Sequence, residues 1–453
     1  MRPSDNHSAP ATPRDDGKPS RTLSRRKFLA LAGGFGALGP LGSMLSPRAW
    51  DSLVGGGTAH ASGTGRRITS STGRTLVILT LYGGNDGLNT VIPYQDRNYA
   101  TYRGSLAVTD SAVLPVGDGY GLHPSLTGFK KLWDAGQLAI VQGVGFANPN
   151  YSHFESMDIW QSGVPDTPVG SGWLGRWLDS TKANPLRAIS IGPTVPNALI
   201  GEKVQATAVP VGMFQLPSGP TGQALYTSMA HAATGGSHLL HEAANSNRNL
   251  VAVQRAIGSI VDRTASSNPL HESADMLSGS ESALAIANGG GGLTTGNVLA
   301  TQLSIVANLI LSGVTTDVYS VELGGFDTHA GQTDTQSNLL SEMDTAVSAF
   351  LDALAEDNRG KETVVMIYSE FGRRVWANAS GGTDHGWANS LFVAGHPVRG
   401  GFFGDPPSLS KLSEGNLIYT TDFRSVYATL LDQVLGVDPR TLLRGSFSTV
   451  PFI

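Results

Sequence analysis

"RTLVILTL", residues 74–81, is the stretch that decides the fold. It is almost wholly apolar, and it ends at the glycine-rich turn "YGGNDGLN". A short run that is apolar on both faces is typical of a strand buried on both sides of a parallel sheet. We therefore predict a central parallel strand here, followed directly by a polar loop that contains Asp86.

Four later segments have the same apolar character: "QLAIVQGVG" around Ile140, "TDVYSVELGG" around Tyr319, "ETVVMIYSEFG" around Met366 and "NSLFVAG" around Phe392. Between the strands lie segments with apolar residues at helical spacing, which begin near His123, Asn297, Gln336 and Asp422. This pattern predicts an α/β fold with a mostly parallel central sheet flanked by helices. Residues 201–296 differ in their glycine- and proline-containing loops, and we interpret them as an inserted cap that ends in a glycine-rich linker.

The amino-terminal segment has the features of an export signal. Arg25 and Arg26 precede a weakly apolar, glycine-rich run, and "AHA" ends at Ala61 with the small residues that a signal peptidase recognises. This order predicts a twin-arginine signal over residues 1–61 and a mature chain of residues 62–453, exported to the periplasm or outside the cell. The twin-arginine export machinery would then be one partner of the protein.

Composition narrows the possible functions of that mature chain. Cleavage would remove eight basic and four acidic residues, leaving 23 basic and 32 acidic ones and a formal net charge of −9, which argues against nucleic acid as a partner. No apolar run after Ala61 approaches the roughly 20 residues of a membrane span. The chain has no cysteine, so any metal must be held by oxygen and imidazole ligands.

Acidic and imidazole side chains cluster where the predicted strands end, at the edge where the loops of an α/β sheet converge. They come from four loops: Asp86, Asp327 with His329, Glu370, and Asp384 with His385. Carboxylates packed together repel one another unless a cation or proton lies between them, so we predict a site for zinc, manganese, magnesium or calcium. For any single loop, the simpler interpretation is an acidic residue that caps backbone amides in a turn. Four coincident loops favour the metal.

A family resemblance rests on motifs spread over nearly all of the mature chain outside the predicted cap: "LYGGNDGLNTVIPY", "GLHPSL", "GFANPNYSHFESMDIWQSG", "GGFDTHAGQ", "SEFGRRV", "GGTDHG" and "TTDFRSVYATLL". By these the chain resembles the secreted domain-of-unknown-function family 1501, within the alkaline-phosphatase-like and sulfatase-like superfamily. The resemblance implies a metal-dependent hydrolase of that fold. It further implies that Asp86, Asp327, His329 and His385 occupy metal-ligand positions.

The same resemblance implies that Ser152 is the nucleophile. A serine at a helix start is also a natural N-cap, with Glu155 three residues on completing a capping box, and both interpretations stay open. Arg373 is our first choice to neutralise charge on the substrate and Arg374 the second, although either is equally interpreted as an ordinary ion-paired residue. His153 and His123 are interpreted as structural histidines rather than as members of the site.

One position departs from the superfamily pattern. Glu370 and Phe371 stand where relatives have an Asp-His pair, and phenylalanine cannot bind a metal. Asp384 is the residue that would replace the missing ligand. The first hypothesis is therefore an exported metal-dependent hydrolase of phosphate or sulfate esters, with a small-molecule or polymer substrate. The alternatives are a catalytically degenerate metal-binding protein and a transferase or isomerase that uses the same serine.

Overall fold

The architecture is given by a computed structural model, which describes residues 72–165, 170–212, 214–215, 219–231, 238–267 and 298–453. The predicted signal over residues 1–61 and the glycine-rich linker before residue 297 lie outside the described residues. None of the described helices is long and apolar enough to cross a membrane.

The described strands belong to three sheets. Their bounds are β1 Thr75–Leu81, β2 Val91–Ile92, β3 Leu114–Gly117, β4 Tyr120–Leu122, β5 Leu138–Gly145, β6 Ala188–Ile191, β7 Thr207–Val209, β8 Val318–Leu323, β9 Thr363–Ser369, β10 Asn389–Ala394, β11 Gly401–Phe403, β12 Leu412–Ser413, β13 Asn416–Leu417 and β14 Thr421–Asp422. The main sheet has the order β11-β5-β10-β9-β1-β8-β6-β7, and β14 also pairs with β5. Within it only β10 runs antiparallel to its neighbours, so the predicted mostly parallel sheet is confirmed.

The described α-helices lie between these strands. Their bounds are α1 Gly87–Thr90, α2 Arg97–Arg103, α3 Thr127–Asp134, α4 His153–Ser162, α5 Trp173–Asp179, α6 Pro220–His231, α7 His238–Ser267, α8 Val298–Leu311, α9 Gln332–Leu354, α10 Phe423–Thr429 and α11 Pro439–Leu442. The four helices predicted from apolar spacing are confirmed as α3, α8, α9 and α10. Asp422 caps α10, since its side chain accepts a hydrogen bond from the Arg424 amide.

Alternating side chains of β1 explain why that stretch reads as continuously apolar. Val77 and Leu79 point into one core cluster, with α3, α7, α8 and α9, whereas Leu76 and Ile78 point into another, with α4, α5 and α10. A central strand covered by helices on both faces needs apolar residues at every position, because successive side chains point to opposite faces.

The predicted cap, residues 201–296, is described only in part. Within it, β7 is the edge strand of the main sheet, and Val253 and Ile257 of α7 are fully buried in the same core cluster as α8. These segments are therefore built into the main core, and the division at residues 201–296 stays a prediction.

Candidate metal centre

One edge of the main sheet collects the loops that carry the predicted site residues. The register pairs Leu81 of β1 with Leu323 of β8 and with Ser369 of β9, so these three parallel strands end at the same level. β10 runs antiparallel to β9, and its amino end, just after His385, therefore lies at the same edge. β5 also ends here and leads into α4.

A glycine turn lets two of these loops touch. Gly83, just after β1, has a φ of +116°, and a Cβ placed on it would lie 2.4 Å from the backbone nitrogen of Asp327. Any other residue here would push the loop after β1 away from the loop after β8. The glycines of "YGGND" thus bring the turn against the backbone that carries Asp327.

Three imidazoles surround one carboxylate at this edge. His153, Asp327 and His385 each offer a ligand atom, and these atoms all lie within 4.8 Å of one another. His153 Nε2 is 3.4 Å from Asp327 Oδ2, and His385 Nε2 is 3.1 Å from Asp327 Oδ1. His329 Nε2 lies 3.1 Å from the same Oδ1 atom and 2.8 Å from His385 Nε2. We call His153, Asp327 and His385, with His329 beside them, the His-Asp cluster.

The other ring nitrogen of each histidine faces an acceptor. His385 Nδ1 lies 2.7 Å from the carbonyl oxygen of Tyr151, and His153 Nδ1 lies 2.7 Å from Glu370 Oε1. His329 Nδ1 lies 3.4 Å from Asp384 Oδ1. A carbonyl or carboxylate oxygen accepts a hydrogen bond, so in the tautomer with the proton on each Nδ1 atom the Nε2 lone pairs are free to bind a metal beside Asp327. This is the arrangement in which outer partners orient metal-binding histidines.

Arg373 keeps the central carboxylate ionised. Its Nη2 atom lies 2.8 Å from Asp327 Oδ1. Burial acts to raise the pKa of Asp327, but the hydrogen bond and the charge of Arg373 are foremost among the contacts that lower that pKa to about 2. Asp327 is therefore a carboxylate throughout the neutral range, which is the state a metal ligand requires.

The two half-buried histidines of the cluster, His153 and His385, have pKa values shifted in opposite directions. Burial would lower the pKa of His153, but the hydrogen bond and charge of Glu370, with the charge of Asp327, raise it overall. At His385 burial prevails and lowers the pKa, despite the hydrogen bond to Tyr151. The lowered pKa keeps the His385 imidazole neutral at neutral pH. The raised pKa means that protons compete with a metal for His153 as the pH falls.

Glu370, predicted as a direct ligand, lies behind His153 instead. Its side chain is 1% exposed. Oε1 accepts from His153 Nδ1 and from the Gly83 amide at 2.9 Å, and Oε2 accepts from Ser369 Oγ at 2.9 Å. Both oxygens are thus committed to protein donors, and Glu370 orients His153 and strengthens it as a base. Asp384 has the same relation to His329, but its side chain is 58% exposed.

Asp86 is not brought into the cluster. It forms a fully buried, two-bond ion pair with Arg103, with N···O distances of 2.6 and 2.7 Å, and its Oδ2 also accepts from Gln332. Gln336, one turn further along α9, donates to the Asp86 backbone carbonyl. With both oxygens held by a buried guanidinium and an amide, the carboxylate ties the loop after β1 to α2 and α9.

Ser152 is the N-cap of α4. Its hydroxyl oxygen accepts from the Glu155 amide at 3.4 Å, so the N-cap is confirmed, but the capping box is not formed, because the Ser152 amide donates to Asn150 Oδ1 at 2.8 Å. Ser152 is nevertheless exposed, and it lies between Tyr151, whose carbonyl holds His385, and His153, whose ring joins the cluster. Covalent connection to both neighbours keeps this serine beside the cluster.

Arg373, predicted to contact substrate, is 2% exposed, and its guanidinium donates its hydrogen bonds to other groups of the protein. Besides Asp327 it donates to the carbonyl oxygens of Gly83, Gly84, Phe326 and Thr383. It therefore braces the loops after β1, β8 and β9 and holds Asp327, which corresponds to the ion-paired interpretation. Arg374 is half-buried, and within the described part of the chain its guanidinium has no ion pair; it lies over the Tyr151 ring, 5.7 Å from the centroid.

One known protein family matches the part of the chain that contains the candidate site. The sequence model of DUF1501, described as a protein of unknown function, matches residues 139–447, more than half of the chain. The protein belongs to the DUF1501 family. The match includes Ser152, all four members of the His-Asp cluster, Glu370 and Arg373, and it excludes Asp86. No curated protein sequence matches this DUF1501 protein significantly.

Solved structures similar to this DUF1501 protein share little sequence with it. A protein of the alkaline phosphatase superfamily from Vibrio parahaemolyticus is 10% identical with a TM-score of 0.37, over 84% of this chain and 70% of its own. The lipoteichoic acid synthase LtaP from Listeria monocytogenes is 9% identical with a TM-score of 0.33, over 87% and 79%. Alkaline phosphatase from the Antarctic bacterium TAB5 is 10% identical with a TM-score of 0.29, over 72% and 94%. All three TM-scores are below 0.5, so the functional case rests on this chain's own residues.

The residues of the His-Asp cluster in this DUF1501 protein fit a metal ion. His153 Nε2 is buried and has no hydrogen-bond partner, although it is 3.4 Å from a carboxylate oxygen. Around a tetrahedral zinc ion with bonds of about 2.05 Å, neighbouring ligand atoms lie about 3.3 Å apart. Four Nε2 and Oδ separations in the cluster are 2.8 to 3.4 Å, close to that spacing, and the ligand atoms of His153, Asp327 and His385 all lie within 4.8 Å of one another.

Phe371, which the resemblance places at a ligand position, packs beside the cluster. Its ring centroid lies 4.9 Å from that of His153 and 4.8 Å from that of His385. The ring also packs on Gly84, where a Cβ would approach within 2.3 Å. This phenylalanine therefore walls the apolar side of both imidazoles and leaves their Nε2 atoms directed at Asp327.

His153 lies in the candidate site, although its position in the sequence indicated a structural role. A signal was present, because His153 directly follows the candidate nucleophile at the start of a helix after a buried strand. The place of His153 in the cluster depends on Glu370, 217 residues away, which holds the imidazole ring with Nε2 toward Asp327. Local sequence does not contain that contact.

Proposed function

We propose that this protein binds one divalent metal ion in the His-Asp cluster and hydrolyses phosphate or sulfate esters. The observation that carries the proposal is the convergence of three Nε2 atoms on Asp327, with an acceptor facing the Nδ1 atom of each ring. His153, Asp327 and His385 are the proposed ligands, and His329 is the fourth donor. Among the metals that the sequence left open, this imidazole-rich set favours zinc.

The proposed chemistry assigns each residue one task. A bound metal would act as a Lewis acid that polarises the ester oxygens. Ser152 Oγ gives up its proton to water and attacks phosphorus or sulfur while the bond to the ester oxygen breaks, and the departing alkoxide takes up a proton from water. Water then hydrolyses the seryl ester and restores the hydroxyl. Glu370 and Arg373 hold His153 and Asp327 in position throughout.

A metal-binding protein without hydrolytic activity is the second candidate. It is favoured by Phe371, which occupies the place of a further ligand, and by Arg373, whose donors are taken by carbonyl oxygens and Asp327. A single-metal site without a free arginine beside it provides less stabilisation of the charge that develops in the transition state. The two candidates share the metal and differ in turnover.

Substitution of Ser152 separates these candidates. We expect metal-loaded wild-type protein to hydrolyse a member of a panel of aryl phosphates, phosphodiesters and sulfate esters, and Ser152→Ala to abolish turnover with the metal retained. Ser152→Ala also removes the cap of α4, which costs about 1 kcal/mol, whereas Ser152→Asn keeps a capping oxygen without a hydroxyl. Both variants should be inactive in initial-rate assays.

Turnover that survives in both variants would remove Ser152 from the mechanism. Metal-loaded wild-type protein that hydrolyses no ester in the panel would favour the non-hydrolytic candidate.

Export is a further part of the proposal. It is supported by Arg25 and Arg26, the apolar run after them and the small residues before Ser62. We expect the exported protein to begin at Ser62, and its amino-terminal sequence checks this. Loss of export when both arginines become lysine would support the twin-arginine route, and unchanged export would contradict it.

A further inference from the structure

Exposed aromatic side chains lie next to the His-Asp cluster. Tyr151 is 37% exposed and Trp376 is 44% exposed, although rings of this size are usually largely buried. Tyr151 is tied directly to the cluster, because its carbonyl oxygen accepts from His385 Nδ1 at 2.7 Å. An exposed aromatic surface beside a cluster of potential ligands is suited to contact a bound molecule.

A tight turn joins the two aromatic residues to a cation. A Cβ on Gly415 would lie 2.9 Å from the Trp376 ring and 4.0 Å from Arg374 Nη1, and the φ of Gly415 is +82°. The next residue, Asn416, donates to the Tyr151 hydroxyl at 3.0 Å. The turn between β12 and β13 thus gathers Tyr151, Arg374 and Trp376 into one surface, which we call the aromatic rim.

Two further contacts hold the rim in place. Trp376 packs against Tyr102 with ring centroids 4.8 Å apart, and Tyr151 stacks near Trp387 at 6.4 Å and 27°. Because both exposed rings are supported from behind, little side-chain entropy is lost when a ligand packs on them. Their outer faces are therefore preorganised.

The charge of the rim is matched to an anion. Arg374 lies over the Tyr151 ring and has no ion pair among the residues that the structure describes. A guanidinium stacked on an aromatic ring keeps its edge free to bind a sulfate or phosphate through two hydrogen bonds. In a protein with a net negative charge, an arginine beside the site attracts anions, and the nearby Asp384 carboxylate offsets part of its charge.

Polar side chains near the rim favour a sugar over a purely apolar ring as the bound group. Asp384 is exposed beside Asn378, with Asn378 Nδ2 3.2 Å from Asp384 Oδ1, and the His329 side chain is 44% exposed. The hydroxyl groups of a sugar can pair with such donors and acceptors, whereas an aryl ring would cover them without compensation. The weakly positive C–H face of a pyranose packs well on the negative face of an aromatic ring.

We propose that Tyr151, Arg374 and Trp376 bind the ring of a pyranose sugar whose sulfate or phosphate ester lies at the His-Asp cluster. Trp376 packs against the ring, the exposed edge of Tyr151 lies beside it, and Arg374, which lies over the Tyr151 ring, binds the anionic group. The placement of the ester at the cluster rests on the proposed function. The binding of the ring to the rim does not.

The test measures binding and turnover separately. Binding of glucose 6-sulfate, ethyl sulfate and 4-nitrophenyl sulfate is followed by saturation-transfer NMR titration, on metal-loaded and on chelator-treated protein. We expect Trp376→Ala to weaken binding of glucose 6-sulfate roughly fivefold and to leave ethyl sulfate unchanged. Arg374→Met should weaken binding of both.

Two matched substitutions control for nonspecific effects. Leu311→Ala removes an exposed apolar side chain at the end of α8 just before β8, at the opposite edge of the sheet, and Arg440→Met removes an exposed arginine from α11. Neither should change binding of any probe. Equal effects of Trp376→Ala on glucose 6-sulfate and ethyl sulfate, or no effect on either, would overturn the proposal. A greater dependence of 4-nitrophenyl sulfate on Trp376 would overturn the assignment of a sugar.

Failure of the proposed function gives a different result. If metal-loaded wild-type protein binds glucose 6-sulfate in a Trp376-dependent way but hydrolyses no ester, the rim is supported and the hydrolase is not. If it hydrolyses esters and Trp376→Ala leaves both binding and selectivity unchanged, the hydrolase stands and the rim proposal fails.

Discussion

Replacing His385 by alanine is expected to lower the affinity of the protein for zinc by about 100-fold or more. The loss of an outer partner alone costs about 10- to 100-fold in metal affinity, and His385 is a proposed ligand rather than an outer partner. His385 Nε2 lies 3.1 Å from Asp327, and its Nδ1 atom faces the Tyr151 carbonyl, so the substitution removes a ligand atom that is oriented toward the cluster. Zinc titration with a competing chelator measures the change.

His396→Ala is the matched control, because His396 is exposed and contacts Gln137 rather than the cluster. It should leave zinc affinity unchanged. The thermal unfolding of both variants in excess chelator shows whether the apo fold is intact, and added zinc should raise the midpoint of wild type and of His396→Ala far more than that of His385→Ala. Zinc affinity of His385→Ala equal to that of wild type would contradict the ligand assignment.

Replacing Arg103 by methionine is expected to reduce the free energy of unfolding by about 3 to 5 kcal/mol. Arg103 and Asp86 are both fully buried, and the substitution leaves the Asp86 carboxylate without its cation in the interior. Gln332 still donates to Asp86, but a neutral amide does not replace a two-bond guanidinium. Chemical denaturation followed by circular dichroism measures the loss.

The double variant Asp86→Asn/Arg103→Met should recover much of this stability, because no unpaired charge then remains buried. Arg440→Met removes an exposed ion pair with Asp438 and should leave stability nearly unchanged. The folded double variant should also retain zinc, since Asp86 is assigned to the buried ion pair. Loss of zinc from that folded variant would return Asp86 to the list of ligands, and an undiminished stability of Arg103→Met would contradict the role of the pair.

The predicted metal ligands divide according to what surrounds them. Asp327, His329 and His385 contact one another at the edge of the sheet, whereas Glu370 faces His153 from behind and Asp86 pairs with Arg103. All of these residues follow or precede a strand as predicted. Sequence position therefore located the edge correctly, but it did not distinguish a carboxylate that faces the cluster from one that faces a guanidinium or an imidazole.

The sequence by itself determined the sheet. The apolar run of β1, the helical stripes and the glycine turns are local patterns whose structural preference does not depend on distant residues, and they place polar loops at one edge. The absence of cysteine also limited any metal site to oxygen and imidazole ligands.

Only the tertiary structure decided which side chains form the candidate site. His153 joins the cluster because Glu370, 217 residues away, orients its ring, and Asp86 is withdrawn from it by Arg103 and by Gln332, 246 residues away. The role of a carboxylate or imidazole depends on which charges and hydrogen-bond partners lie within about 4 Å of it, and these partners come from distant parts of the chain. Tertiary packing brings these partners together, so the local sequence around each residue does not predict them.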